Sequence, residues 1–215
     1  MARTYAVADL HGRFDLLEMA LSAIKAHEPG GTYKIVFLGD YIDRGPQSRQ
    51  IIERLIKGPD DGATWICLTG NHEAMMLACL AGVEPMKWWL GNGGKQTLMS
   101  YGSAVPQDHQ DWLAALPLFY ADGHRVFVHG WVDPEKELTE QDPHELIWHR
   151  YARPEPGGYR GQHVVHGHVP YEDGPLRHDG RTDLDTLAWK TGRLVVGAFD
   201  DDMPGRPVDL IELRA

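Results

Sequence analysis

Three times within the first 81 residues a short apolar run gives way to a segment of helical periodicity, and this alternation narrows the possible folds more than any other feature of the chain. The first unit is a strand over 4–8 and a helix over 14–27, in which Phe14, Leu17, Leu21 and Ile24 share one face. The second is a strand over 34–38 and a helix over 46–57, where Pro46 suits a first helical turn because its missing N–H is not needed there. The third is a strand over 64–68 and a helix over 72–81. Strands joined by helical crossovers run parallel, so the first half predicts a largely parallel sheet covered by helices.

The segment 82–123 breaks this pattern. It is rich in tryptophan and punctuated by glycine (MKWWLGNGGKQTLMSYG, then QDHQDWLAALP), and it reads as a helical, peripheral cap or insertion in a single domain spanning 1–215. Trp88 and Trp89 are expected to pack on the core, with the lining of a substrate groove as the other reading. Strand-like runs follow at 125–128, 163–166, 193–198 and 208–213, so the second half is more β than α. The proline and glycine cluster at 153–161 reads as a surface loop.

The informative pattern is positional. After nearly every apolar run the chain delivers a side chain able to bind a metal: Asp9 and His11 after the first strand, Asp40 after KIVFLG, Asn71 after TWICLTG, His129 closing RVFVH and His168 closing HVVHGH. In sheets with helical crossovers, ligands bind outside the carboxyl ends of the strands, so these six residues can meet at one edge. Asp9 and His11, two apart, are expected on one side of an extended chain. A single histidine at a strand end is ordinarily a satisfied core or surface residue, and about half of the twelve histidines need no other account. Six such side chains at matching positions exceed that background.

Oxygen and imidazole ligands without cysteine suit first-row divalent metals, not a structural thiolate zinc. Six are too many for one ion with an open position, and two ions sharing a carboxylate, with Asp40 as the bridge, is the natural arrangement. Cys67 and Cys79, twelve apart, fit neither a disulfide framework nor a thiolate site and are read as packing residues. In GDYIDRGPQS, Asp43 and Arg44 follow Asp40 closely, and in GNHE His72 adjoins Asn71. An arginine beside dications implies an anion between them, and its fork fits phosphate. A histidine beside a ligand but turned from the ion could protonate a leaving oxygen, with Asp43 fixing its tautomer; the plainer reading of Asp43 and Arg44 is a loop salt bridge.

The blocks DLHG, GDYIDRG, GNHE, VHG and HGH, in this order, resemble the signature of the calcineurin-like metallophosphoesterases. The GDxxDRG and GNHE forms are similar to the phosphoprotein phosphatases, particularly the small bacterial and phage serine/threonine and tyrosine phosphatases, and TDLDTLAWKTGRLVVGAF resembles their closing strands. The resemblance implies an α/β (α+β) fold of two packed mixed β-sheets flanked by helices, a four-layer sandwich. It implies two divalent metal ions, usually Mn2+, with Fe or Zn as alternatives: Asp9, His11 and Asp40 on one, Asp40, Asn71, His129 and His168 on the other. It also implies His72 with Asp43 as proton donor, Arg44 as phosphate ligand, and a second phosphate-binding arginine at Arg150, or failing that Arg153. A water between the metals would attack phosphorus in line. The chain departs from the family at Thr69, where a basic residue is common, at Gly130 in place of alanine and at Leu187 in place of glycine.

The expected function is that of a phosphomonoesterase acting on a phosphorylated protein or peptide. A symmetrical dinucleoside tetraphosphatase resembles the chain strongly but typically carries GDLVARGP and GNHD, against Asp43 and Glu73 here. A nuclease or phosphodiesterase is disfavoured because the net charge of −10 offers no basic groove for nucleic acid. An inactive phospho-ligand binding module is disfavoured by the intact ligands, arginine and proton donor. No apolar run is long enough for a bilayer, so no membrane partner is expected, and the opening MARTYAVADLHG lacks a secretory pattern, so the expected location is cytoplasmic.

Overall fold

The computed structural model describes residues 2–28, 32–151 and 157–215. The first half contains β1 (Arg3–Val7), α1 (Phe14–His27), β2 (Tyr33–Phe37), α2 (Ser48–Lys57), β3 (Thr64–Cys67) and α3 (Asn71–Leu80). The next segment holds α4 (Met86–Trp89), α5 (Lys95–Tyr101) and α6 (Gln107–Ala114). Then come β4 (Phe119–Ala121), β5 (Arg125–Val128), α7 (Pro143–Trp148), β6 (His163–His166), β7 (Leu176–His178), β8 (Arg181–Asp183), α8 (Ala188–Thr191), β9 (Arg193–Asp200) and β10 (Asp209–Arg214).

Two five-stranded mixed sheets result, in the orders β10-β9-β1-β2-β3 and β4-β5-β6-β8-β7. In the first, β1, β2 and β3 are parallel, as the three β-then-α units require, and β9 and β10 close the far edge antiparallel. In the second, β5, β6 and β8 are parallel and β4 and β7 flank them antiparallel. Period-two alternation assigns the faces. On β1, Tyr5 and Val7 enter the core shared with α1, α2 and α3, while Ala6 and the following Ala8 join Val36, Leu38, Phe127, Val165, Leu184 and Phe199 between the sheets. The outer face of the second sheet packs Val126, Val128 and Val164 on Leu146 and Ile147 of α7. Strands apolar on both faces, with helices outside, make the expected layered fold.

The segment 82–123 differs from expectation in two ways. It ends in β4, a strand of the second sheet, and it is not peripheral: Trp89, fully buried, and Thr97 both reach the loop after β2. Trp88 instead stacks on Trp148 of α7 with ring centroids 5.5 Å apart, so the two adjacent tryptophans part company. Among the described residues, no helix is long and apolar enough to cross a membrane.

Candidate metal centre

Each parallel strand ends in a turn that carries site residues. Asp9 and His11 follow β1, Asp40, Asp43 and Arg44 follow β2, Asn71 and His72 open α3 after β3, His129 follows β5 and His168 follows β6. The turns are tight: Asp9, His11, Asp40, Asp43, Arg44 and His168 all have positive φ, between 41° and 72°. Six non-glycine residues in left-handed conformation are costly individually, and such strain gathers where the surrounding structure holds side chains in place for function. Asp9 and His11 are therefore not on one side of an extended chain. They are turned inward separately, the His11 N–H donating to the Asp40 carbonyl at 2.9 Å.

Around Asp40 the donor atoms converge. His11 Nε2 lies 3.4 Å from Asp40 Oδ2, His129 Nε2 lies 3.5 Å from Asp40 Oδ1, and His129 Nε2 is 2.9 Å from Asn71 Oδ1. Two sets of candidate ligand atoms, His11 with Asp40 and His72, and Asp40 with His129 and His168, each lie within 4.8 Å of one another and share Asp40. Asp9 joins through its carboxylate, which accepts the His168 backbone N–H at 3.2 Å, and it lines the same cavity. Backbone packs closely here: a Cβ on Gly70 would run into Asp40 Oδ1, so the residue before Asn71 must be glycine for the carboxylate to hold its place.

The donor set fits cations. His129 Nδ1 is 2.8 Å from the Leu38 carbonyl and His11 Nδ1 is 2.8 Å from the Ile42 carbonyl, so both rings carry their proton there and present Nε2 lone pairs inward. His129 Nε2 thus faces Asn71 Oδ1 and Asp40 Oδ1, three acceptors with no donor among them, an arrangement that a metal ion resolves. His168 Nε2 lies 3.2 Å from the Trp148 carbonyl and 3.3 Å from Arg150 Nε, whose N–H points at it. Burial holds His11 and His129 below the ordinary imidazole range and His168 at about 3. Burial alone would push Asp40 up, but the imidazoles of His129, His72, His11 and His168 hold it low. Asp9 is pushed well up by burial and by the charges of Asp185 and Asp40, a penalty that a cation between the carboxylates would relieve.

Asp185 is the member that sequence reading missed. It is 5% exposed, lines the cavity with Asp9 and Asp40, and burial pushes it up to about 6. It obeys the same positional rule, lying two residues past β8, but β8 is the three-residue RTD without an apolar run to announce it. Glu73 has a different use. Its buried carboxylate accepts the backbone N–H groups of Asp40 (2.8 Å), Tyr41 (2.9 Å) and Gly70 (2.9 Å), and so ties the loop after β2 to the start of α3.

His72 stands at the rim of the cluster, its Nε2 4.0 Å from Asp40 Oδ2. Its Nδ1 is 2.7 Å from Asp43 Oδ2, and its Nε2 is 3.0 Å from Arg44 Nη2. Asp43 is fully buried and held by the Trp89 indole N–H at 2.9 Å and the Thr97 hydroxyl at 2.6 Å. Burial pulls His72 down, and Asp40 and the Asp43 contact outweigh it, so its pKa is raised. The plainer reading of Asp43 and Arg44 as a loop salt bridge is not what the structure contains; both turn to His72. Arg150 lines the same cavity beside His168, and Arg153 lies outside the described residues. Thus Asp9, His11, Asp40, Asn71, His129 and His168 come together with His72, Asp43, Arg44 and Arg150.

The model of the calcineurin-like phosphoesterases matches residues 2–198. The chain belongs to this family. Within it, the metallophosphoesterase is 32% identical over 139 residues to the symmetrical bis(5'-nucleosyl)-tetraphosphatase of Actinobacillus pleuropneumoniae serotype 5b (strain L20), an alignment covering 64% of this chain and 48% of that protein. The chain spans about half the length of the curated relatives it matches. Among solved structures, a candidate diadenosine tetraphosphatase superposes with a TM-score of 0.72 at 23% identity, covering 99% of this chain and 93% of that one. A protein serine/threonine phosphatase from Saccharomyces cerevisiae superposes with a TM-score of 0.65 at 17% identity, covering 100% and 80%. Both confirm the two-sheet metallophosphoesterase fold.

Proposed function

We propose that this metallophosphoesterase hydrolyses dinucleoside polyphosphates, cleaving a symmetrical tetraphosphate into two nucleoside diphosphates. The reading rests on one structural observation, two ligand sets sharing Asp40 beside Arg44 and His72, and takes its substrate class from the curated relatives. The phosphoprotein substrate expected from GDYIDRG and GNHE gives way to the alternative. Sequence relatives at up to 34% identity carry the tetraphosphatase name, whereas the likeness to the protein phosphatases, at 16–18% identity, shows the fold alone. Glu73 does not discriminate between the two, since its carboxylate serves backbone N–H groups and not a substrate.

Asp9, His11 and Asp40 would hold one divalent ion, and Asp40, Asn71, His129 and His168 the other; the mixed oxygen and imidazole set suits first-row divalent metals, and the family resemblance points to Mn2+ among them. Such a pair supplies charge neutralisation at the phosphoryl oxygens and an acidified water. The chain's own groups do the rest. Arg44 and Arg150 bind non-bridging oxygens. An incoming phosphate draws the Arg44 guanidinium off His72, and His72 Nε2, charged with the help of Asp43, hands its proton to the departing oxygen. Trp89 and Thr97 keep Asp43 from turning away.

The test is metal-reconstituted turnover of diadenosine tetraphosphate, phosphoserine and phosphotyrosine peptides, and nitrophenyl phosphate. ADP as the sole nucleotide product, with kcat/KM above that for the peptides, is expected. ATP with AMP as products, or faster peptide turnover, would overturn the reading in favour of asymmetric cleavage or a protein phosphatase.

A further inference from the structure

His72 and Arg44 fix the side on which a leaving group departs. In an in-line displacement the leaving oxygen lies opposite the attacking water and within hydrogen-bond reach of its acid. With His72 Nε2 3.0 Å from Arg44 Nη2, the departing phosphate emerges at Arg44. Beyond Arg44 opens a cleft of about 540 Å3, lined among others by Leu90, Asn92, Lys95, Gln96 and Trp189, a volume suited to a small ligand. We propose that this cleft binds the leaving nucleoside diphosphate, its phosphates on Arg44 and Lys95 and its base against the Trp189 indole. The inference rests on the substrate class proposed above and locates one half of that substrate.

The chemistry of the cleft is sorted along its length. Arg44 belongs to both the metal cavity and the cleft, so a phosphate chain passes from one to the other without a break. The Arg44 guanidinium stands over the Trp189 ring, 5.5 Å from its centre, so cation and aromatic surface adjoin, and the ring face opens to a base as a bound phosphate draws the guanidinium away. The Trp189 indole N–H is a buried donor with no hydrogen-bond partner among the described residues. Asn92 gives one amide N–H to the Trp88 carbonyl, leaving its other N–H and its oxygen, and Gln96 adds a second exposed amide for the base edge. The wall is anchored to the arginine: the Arg44 N–H donates to the Gly93 carbonyl at 3.3 Å, and at φ 111° a Cβ on Gly93 would sit 2.6 Å from the Arg44 nitrogen. Another groove, beside Thr69, Trp88 and Trp148, contains Glu84 but no lysine or arginine, and so offers a diphosphate no such cation. In the reaction, water oxygen bonds to an inner phosphorus and gives up a proton to solvent, the P–O bond to the next phosphate breaks, and the released oxygen takes the His72 proton, which solvent then replaces; one diphosphate then lies in this cleft.

Calorimetric titration of the manganese-loaded protein with ADP and with inorganic phosphate tests the assignment. The wild type should bind ADP at least about 10-fold tighter than phosphate. Trp189→Ala should narrow that ratio by about 5- to 10-fold, within the usual worth of a base stacked on an aromatic ring, and Trp189→Phe should restore most of it; Lys95→Gln should narrow it as well, by removing a cation from the diphosphate. ADP binding no tighter than phosphate, or a ratio unmoved in both variants, overturns the cleft. The substrate reading fails separately: an intact cleft with no cleavage of diadenosine tetraphosphate rejects that reading alone, and cleavage to ADP with an unmoved ratio rejects only the cleft.

Discussion

At His72 two contacts make opposite demands. Asp43 at Nδ1 favours the charged ring, while the Arg44 guanidinium at Nε2 favours a lone pair there, and a bound phosphate shifts the balance by drawing the arginine away. His72→Asn should therefore retain its metals yet lose about 100- to 10,000-fold in kcat/KM on an alkyl phosphate. The loss should be much smaller on nitrophenyl phosphate, whose leaving group departs with little need of a proton. Equal losses on both substrates, with metal content unchanged, would remove His72 from the acid role. The six metal-ligand candidates were legible because each sits one to four positions past a strand, whereas Arg150, two residues past α7, could be named only from the family resemblance. The left-handed backbone of Asp9, His11, Asp40, Asp43, Arg44 and His168 was not legible, because a non-glycine residue gives no local sign of positive φ. Leu187 shows the same limit: it stands where the family favours glycine and takes φ 55° regardless.

At the scale of elements, the first turn of α3 is the joint that holds the loop after β2. Glu73 accepts N–H groups from both segments in a fully buried setting, and burial pushes its carboxyl up to about 7. Glu73→Gln would set an amide N–H2 against one of those backbone donors. A loss of roughly 1–3 kcal/mol in urea unfolding is expected, the cost of leaving a buried donor unpaired; an unchanged midpoint would show that the joint carries no stability. The three β-then-α units were readable to within a few residues, since long apolar periods dominate them. β4, β7 and β8 were not, because three-residue strands such as RTD show no alternation and take their place only through pairing with neighbours. The segment 82–123 misled for a related reason: nothing local distinguishes Trp89, aimed at Asp43, from Trp88, stacked on Trp148.

Across the whole molecule, two sheets meet on an apolar seam and bring their strand ends together over a cavity crowded with carboxylates. The second sheet also buries neutral imidazoles. His163 is pushed down to about 4 by burial and by Arg125, and His166 to about 3 by burial and by Arg181, whose guanidinium donates to His166 Nε2 at 3.0 Å. These folded values lie below the unfolded value of about 6.5, so the unfolded chain takes up protons first as pH falls. The stability they contribute is complete above about pH 6.5 and is lost progressively towards pH 4 for His163 and pH 3 for His166. Replacing His163 by glutamine should flatten the fall of urea midpoint between pH 6.5 and 4; a slope identical to the wild type would assign that loss to carboxylates instead.

The central claim, that two metal ions share Asp40, is most directly tested by electron paramagnetic resonance of the chelator-treated protein titrated with manganese. The shared carboxylate predicts saturation at two ions per chain with an exchange-coupled signal, reduced in Asp40→Asn to the spectrum of isolated ions. Saturation at one ion, or two ions that give only isolated signals in the unaltered chain, would contradict it.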